Sequence, residues 1–194
     1  MSIGLSPNSC RAVTLMELLL AMTLFSVMVL GISTVQIFCQ QTLVNTNRKA
    51  RVTNQVSYVL EHMSKYIGMG VGNAGDYPVT INAAPSFCTN AIQVWTDLDQ
   101  SGTKNAPDCK VLYCLNSTTH TLSFYSNYTS ESVPGPVEFL GYNILQMIVY
   151  VIRNAVDVTI VGCLDASASS SLDNPRITLQ TRIVMPLVSS NATP

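Results

Sequence analysis

Apolar residues form a nearly unbroken run close to the N-terminus. No formally charged residue lies between Leu18 and Phe38, and the polar residues of this run carry small hydroxyl or amide groups: Thr23, Ser26, Ser33, Thr34 and Gln36. About 20 consecutive apolar residues cross the hydrocarbon core of a bilayer as a helix, because a helix satisfies its own backbone hydrogen bonds. The pattern therefore predicts a membrane-spanning helix, whose hydroxyls bond back to their own backbone.

A second apolar pattern follows the first. Beyond Gln40, apolar residues recur at helical spacing, at Val52, Val56, Val59, Leu60, Met63 and Ile67. This spacing places one apolar stripe on an amphipathic helix. Since no proline lies between Val13 and Ile67, the spanning and amphipathic segments are predicted to form one helix, which the glycines after Ile67 end.

Short β-type runs occupy the rest of the chain, at residues 78–81, 91–95, 110–115, 121–125, 145–152, 156–161 and 176–185. The polar residues 116–119 predict a hairpin turn between two of these runs. An antiparallel sheet needs a cover for its apolar face, and the stripe on residues 52–67 provides one. We therefore predict an α+β fold with a long N-terminal helix packed on an antiparallel β-sheet.

Composition narrows the possible partners and the compartment. Only 11% of residues are charged and the net charge is −1, so no nucleic-acid partner is indicated. An even number of cysteines in the polar part suits disulfides in an oxidising compartment; four buried free thiols are the alternative. Among the three possible connectivities we prefer Cys88 with Cys109 and Cys114 with Cys163.

Glu17 stands where the apolar run begins. A carboxylate at the centre of a membrane costs roughly 2.5–3.5 kcal/mol on insertion scales, and less near an interface. The nearest downstream basic residue is Arg48, so we expect the partner of Glu17 to come from another chain. A functional role is therefore predicted for this carboxylate.

The residues around Glu17 form a motif. Ala12-Val13-Thr14-Leu15-Met16-Glu17, followed by the apolar helix, resembles the processing signal of type IV pilins and type II secretion pseudopilins, whose usual form is Gly followed by Phe-Thr-Leu-Ile-Glu-Leu. The resemblance implies cleavage between Ala12 and Val13 by a prepilin peptidase and methylation of Val13. It also implies pairing of Glu17 with the amino-terminal nitrogen of a neighbouring subunit. Ala12 and Val13 depart from the usual Gly and Phe.

The resemblance divides the chain into a leader (1–12), a transmembrane half-helix (13–39), an amphipathic half-helix (40–67) and a β ectodomain (68–194). It implies a non-enzymatic minor pilin, held by the inner membrane and packed with other pilin or pseudopilin subunits through its N-terminal helix. The ectodomain is expected outside the cytoplasm, which the cysteines favour and the flanking basic residues do not. Two alternatives stay open: a minor pseudopilin of type II secretion, and a signal-anchored Ca²⁺-binding ectodomain that does not polymerise.

One acidic segment of the ectodomain is a candidate calcium-binding loop. EF-hand-like ligand spacing, with Gly102 at the turn, is shown by Asp97, Asp99, Ser101, the backbone of Thr103, Asn105 and Asp108. A strand leads into it where an EF-hand has a helix, and Lys104 would repel a cation. We favour the other interpretation, a turn held by hydrogen bonds from its own Asp and Asn side chains.

No arrangement of residues in the sequence predicts an enzyme. His62 and His120 are isolated in the sequence, and we expect both to be packed or surface residues. Trp95 is expected in the core.

Overall fold

The computed structural model describes residues 14–72, 77–81, 85–128, 137–152 and 155–185. The chain divides into two compact units, Met1–Val44 and Asn45–Pro194. One helix, α1 (Leu15–Gly68), contributes to both, which confirms the predicted uninterrupted helix. The predicted leader and its cleavage position, Ala12 and Val13, lie outside the described residues.

In the first unit, every described side chain from Thr14 to Val44 is exposed. The hydroxyls of Thr23, Ser26, Ser33 and Thr34 donate hydrogen bonds to carbonyl oxygens three or four residues earlier. These bonds confirm that the polar residues of the apolar run are satisfied by their own helix. By length and composition, α1 is able to cross a membrane.

The second unit contains two antiparallel sheets, where the sequence predicted one. Strands β1 (Val79–Ile81), β2 (Asn90–Thr96), β3 (Cys109–Asn116), β4 (Thr121–Tyr125) and β5 (Val137–Gly141) form a five-stranded sheet in that order. Strands β6 (Ile144–Ile152), β7 (Ala155–Cys163) and β8 (Arg176–Val184) form a three-stranded sheet in that order. The predicted α+β class and its antiparallel pairing are confirmed.

Strand β5 was not predicted. Its first three residues, Val137, Glu138 and Phe139, are all exposed, and only its last two are buried. The strand therefore lacks the alternation of buried and exposed residues by which a half-buried strand is identified. It follows Pro134-Gly135-Pro136 in the sequence, which favours a loop.

The predicted stripe on α1 is the buried face of the helix. Its six residues share one hydrophobic core with apolar residues from both sheets. The helix and the sheet approach closely at Gly162 of β7, where an added Cβ would lie 2.6 Å from a methyl carbon of Val56. Glycine is therefore what allows the helix and β7 to approach this closely at that point.

The hairpin turn between β3 and β4 lies where the sequence predicted it. The side-chain oxygen of Asn116 accepts hydrogen bonds from the backbone amides of Thr118 and Thr119, an arrangement typical of Asn in turns. Trp95 departs from expectation, because it is only half-buried. Its ring lies 3.9 Å from the ammonium of Lys104 and 5.2 Å from that of Lys110.

Candidate functional site

The first turn of α1 holds the Glu17 carboxylate. Glu17 Oε2 accepts hydrogen bonds from the backbone amide of Thr14 at 3.0 Å and from its hydroxyl at 3.2 Å. The Thr14 hydroxyl in turn accepts a hydrogen bond from the Glu17 amide at 3.2 Å. This reciprocal arrangement is a capping box, which satisfies backbone donors that the first helical turn leaves free.

The capping box corrects the expectation that Glu17 has no partner within its own chain. The sequence signal was present, because Thr followed three residues later by Glu and then by an apolar run predicts this motif. The negative charge also lies at the positive end of the helix dipole. Both donors are neutral, however, so they satisfy one oxygen of the carboxylate, Oε2, without neutralising its charge.

The predicted calcium segment forms the loop between β2 and β3. Carboxylate oxygens of Asp97, Asp99 and Asp108 lie within 4.8 Å of one another. Two backbone amides bind this cluster from the turn: Ser101 donates to Asp97 at 3.1 Å and to Asp99 at 3.0 Å, and Gly102 donates to Asp97 at 2.8 Å. The structure therefore brings together the three predicted acidic residues.

The other predicted ligands take part in bonds within the loop. The Ser101 hydroxyl donates to the Thr103 carbonyl oxygen at 3.0 Å and accepts a hydrogen bond from the Asn105 amide group at 2.9 Å. Asp108 accepts hydrogen bonds from the amides of Leu98 and Asn105, each at 3.0 Å. These bonds are what the turn alternative requires, and the convergence of three carboxylates is what a cation requires.

Hydrogen bonds from Ser101 hold the pKa of Asp99 below its usual value. These bonds stabilise the charged form of the carboxylate. The loop therefore keeps Asp99 ionised at neutral pH, as either alternative needs.

The preferred cysteine pairing was wrong. Cys88 forms a disulfide with Cys114, while Cys109 and Cys163 are free thiols. In the antiparallel pair of β2 and β3, Cys109 lies opposite Thr96, at the end of β2 far from Cys88, whereas Cys114 lies opposite Ala91. The seven residues of β2 extend about 20 Å at 3.3 Å per residue, which puts Cys109 out of reach of Cys88.

The N-terminal segment, which contains Glu17 and its capping box, matches a known family model. Residues 7–33 match the family model described as "Prokaryotic N-terminal methylation motif". The chain carries this motif. Together with the long apolar helix, it fits a type IV pilin-like protein. No curated protein and no solved structure matches the chain significantly.

The second unit also contains a ring cluster that the sequence did not predict. The His62 ring lies 4.7 Å from that of Phe124 and 4.9 Å from that of Tyr66, between centroids. Its Nδ1 atom is 3.0 Å from the Tyr113 hydroxyl, which donates to the His62 carbonyl oxygen at 3.2 Å. His62 is thus a packed residue, and burial lowers its pKa.

Proposed function

We propose that the chain is a structural, non-enzymatic subunit of a type IV pilus-like filament, and specifically a minor pilin. The observation that carries this proposal is the methylation motif at residues 7–33, joined to a helix whose apolar side chains are exposed on every side up to Val44. Such a surface requires a lipid or protein cover. A membrane covers it before assembly, and the helices of neighbouring subunits cover it in the filament.

In this proposal the protein passes through two states, a membrane-anchored precursor and a filament subunit. In the first, the chain is anchored in the inner membrane with its ectodomain on the periplasmic side. A prepilin peptidase then cleaves between Ala12 and Val13, and Val13 is methylated. In the second state, the N-terminal helix packs among those of other subunits in the filament.

The capping box defines what assembly must change at Glu17. Neutral donors of Thr14 already satisfy Oε2 of the carboxylate, and a neighbouring subunit supplies what they cannot, a positive charge. The amine that cleavage creates at Val13 has that charge. Pairing it with Glu17 of the next subunit stabilises an otherwise uncompensated carboxylate in a low-dielectric core and fixes the axial position of one helix against another.

Two measurements on the protein from its native host test the proposal. The intact mass of the mature protein is expected to lack residues 1–12 and to include one additional methyl group. Glu17→Gln is expected to insert into the membrane normally but to be reduced at least about ten-fold in sheared filaments, since it keeps the shape and loses the charge. Glu61→Gln, an exposed acid on the amphipathic half, is the matched control and should be incorporated normally.

Either of two results would reject the proposal: a mature protein that retains residues 1–12, or Glu17→Gln incorporated as well as the wild type. The first result would favour the signal-anchored ectodomain that does not polymerise. The runner-up within the class, a minor pseudopilin of type II secretion, predicts the same mass. It is distinguished by deletion of the gene, which would then block protein secretion and leave surface pili unchanged.

A further inference from the structure

The five-stranded sheet has an outer face that α1 does not cover. Tyr113 and Phe124 point into the core shared with the helix, so their neighbours along β3 and β4 point to the opposite side. Cys114 lies opposite Ser123, and Ser123 lies opposite Phe139 on the edge strand β5. Opposed residues share one face of a sheet, so these three form a row across the outer face.

A groove of about 460 Å³ lies over this row. Its lining is aromatic at Phe87, Tyr125 and Phe139, and otherwise consists of small polar residues and one half of the disulfide: Asn116, Thr119, Thr121, Ser123 and Cys114. The volume is within the range of small-molecule binding sites. None of the lining side chains is charged at neutral pH, since burial raises the pKa of Tyr125 above its already high normal value.

The aromatic walls have fixed positions. Phe87 precedes Cys88, which the disulfide joins to Cys114 on the floor of the groove, and its ring lies 5.7 Å from that of Tyr125, between centroids. Phe139 stands on β5 with 59% of its surface exposed. Cys114, Ser123 and Phe139 lie side by side on β3, β4 and β5, and two strand spacings measure roughly 10 Å, so the floor of the groove is wide enough for a flat ring.

Ser123 supplies a polar group that the fold does not use. The residue is only 7% exposed, and within the described part of the chain its hydroxyl has no hydrogen-bond partner. The hydroxyl oxygen itself is reached by solvent, since among the described residues the buried side-chain atom without a partner is Nδ1 of His120. The Ser123 hydroxyl is therefore available to bond to water or to a ligand in the groove.

We propose that this groove binds a neutral sugar unit of a glycan. The C–H groups on one face of a sugar ring carry partial positive charge and pack against the negative faces of aromatic rings, which Phe87, Tyr125 and Phe139 provide. Sugar hydroxyls bond to the free hydroxyl of Ser123 and to the polar side chains beside it. An acidic sugar finds no cation in the lining, and a purely apolar ligand would displace water from Ser123 and the other polar side chains without replacing its hydrogen bonds.

The test uses the full-length protein in lipid nanodiscs, because glycosidic detergents would occupy the groove. An array of immobilised neutral oligosaccharides is screened beside sialylated counterparts, and the strongest neutral oligosaccharide is then titrated in solution. We expect selective binding of neutral glycans. Phe139→Ala and Phe87→Ala should each weaken it about ten-fold, and Ser123→Ala about five-fold.

Tyr150→Ala is the matched control, since Tyr150 is an aromatic residue 63% exposed on β6, outside the groove. It should bind like the wild type, and near-ultraviolet circular dichroism checks that each variant is folded. The proposal is overturned if no neutral oligosaccharide binds, if Ser123→Ala binds as tightly as the wild type, or if the array shows equal binding to sialylated chains. Its failure would leave the assembly proposal untouched, because no groove residue lies on α1.

Discussion

Thr14 is the residue that links the helix start to the predicted assembly carboxylate. Its side chain bonds both to Glu17 Oε2 and to the Glu17 amide, so Thr14→Ala removes one cap acceptor and one donor. Loss of an N-cap typically costs 0.5–2 kcal/mol, and we expect the Glu17 amide to exchange its hydrogen about ten-fold faster. Hydrogen exchange measured by NMR in micelles checks this, with Thr14→Ser as the conservative control that retains protection. Equal exchange in Thr14→Ala and wild type would show that the cap does not hold the first turn.

His62 supplies a pH dependence of stability. Burial lowers its pKa below the usual value for histidine, although the negative charge of Glu138 acts in the opposite direction. The unfolded chain therefore binds this proton more readily than the folded chain, and the free energy of unfolding rises with pH across the interval below about 6.5. Stability is lost as pH falls through that interval.

Chemical denaturation between pH 5 and pH 8 measures this slope, and His62→Gln is expected to reduce it. The comparison between wild type and variant isolates the His62 contribution. An unchanged slope in His62→Gln would contradict the assignment.

At the scale of elements, the contact between α1 and β7 depends on the absence of a side chain at Gly162. An alanine there would place its Cβ 2.6 Å from Val56, so Gly162→Ala must displace the helix or the strand. Overpacking of this kind typically costs 1–3 kcal/mol. The denaturant midpoint of the full-length protein measures the loss of stability. A midpoint equal to that of the wild type would show that the helix and the strand accommodate the added methyl group without cost. Gly68→Ala is the matched control, since no neighbouring atom lies within 4 Å of the added Cβ.

The loop between β2 and β3 carries the calcium hypothesis. Three converging carboxylates repel one another, and a bound cation would relieve this repulsion. If the loop holds Ca²⁺, titration calorimetry of the full-length protein gives a saturable heat that Asp97→Asn abolishes. Asp173→Asn should retain that heat, because Asp173 pairs with Arg48 on α1. If no saturable heat appears, the loop is the self-bonded turn.

The elements differ in how much of them the sequence revealed. The stripe on α1 follows from its helical spacing, and seven of the eight described strands follow from short apolar or partly alternating runs. Strand β5 escaped prediction because its exposed residues carry no such signal. The disulfide also escaped, since pairing depends on strand register, and register was not read from the sequence.

The candidate sites also differ in how far the sequence alone predicts them. The motif around Glu17 and the acidic loop are local in sequence, so their spacing alone indicates them. The groove joins residues from three strands and a loop, and the His62 cluster joins the helix to β3 and β4. Such sites depend on long-range pairing, which no local pattern encodes.

For the whole molecule, the common core has a mechanical consequence. If the chain is assembled in a filament as proposed, tension reaches the second unit through the N-terminal part of α1, and the helix is held to both sheets by the packing of six apolar side chains. Tension along the helix axis therefore shears these contacts together, rather than opening strand hydrogen bonds one at a time. Two contacts lie in the N-terminal half of the part of α1 that packs on the sheets, which is the half that the force would reach first. They are the close fit of Val56 at Gly162 and the Arg48–Asp173 ion pair. They are the first contacts to bear the force, and weakening them would lower the load at which the subunit extends.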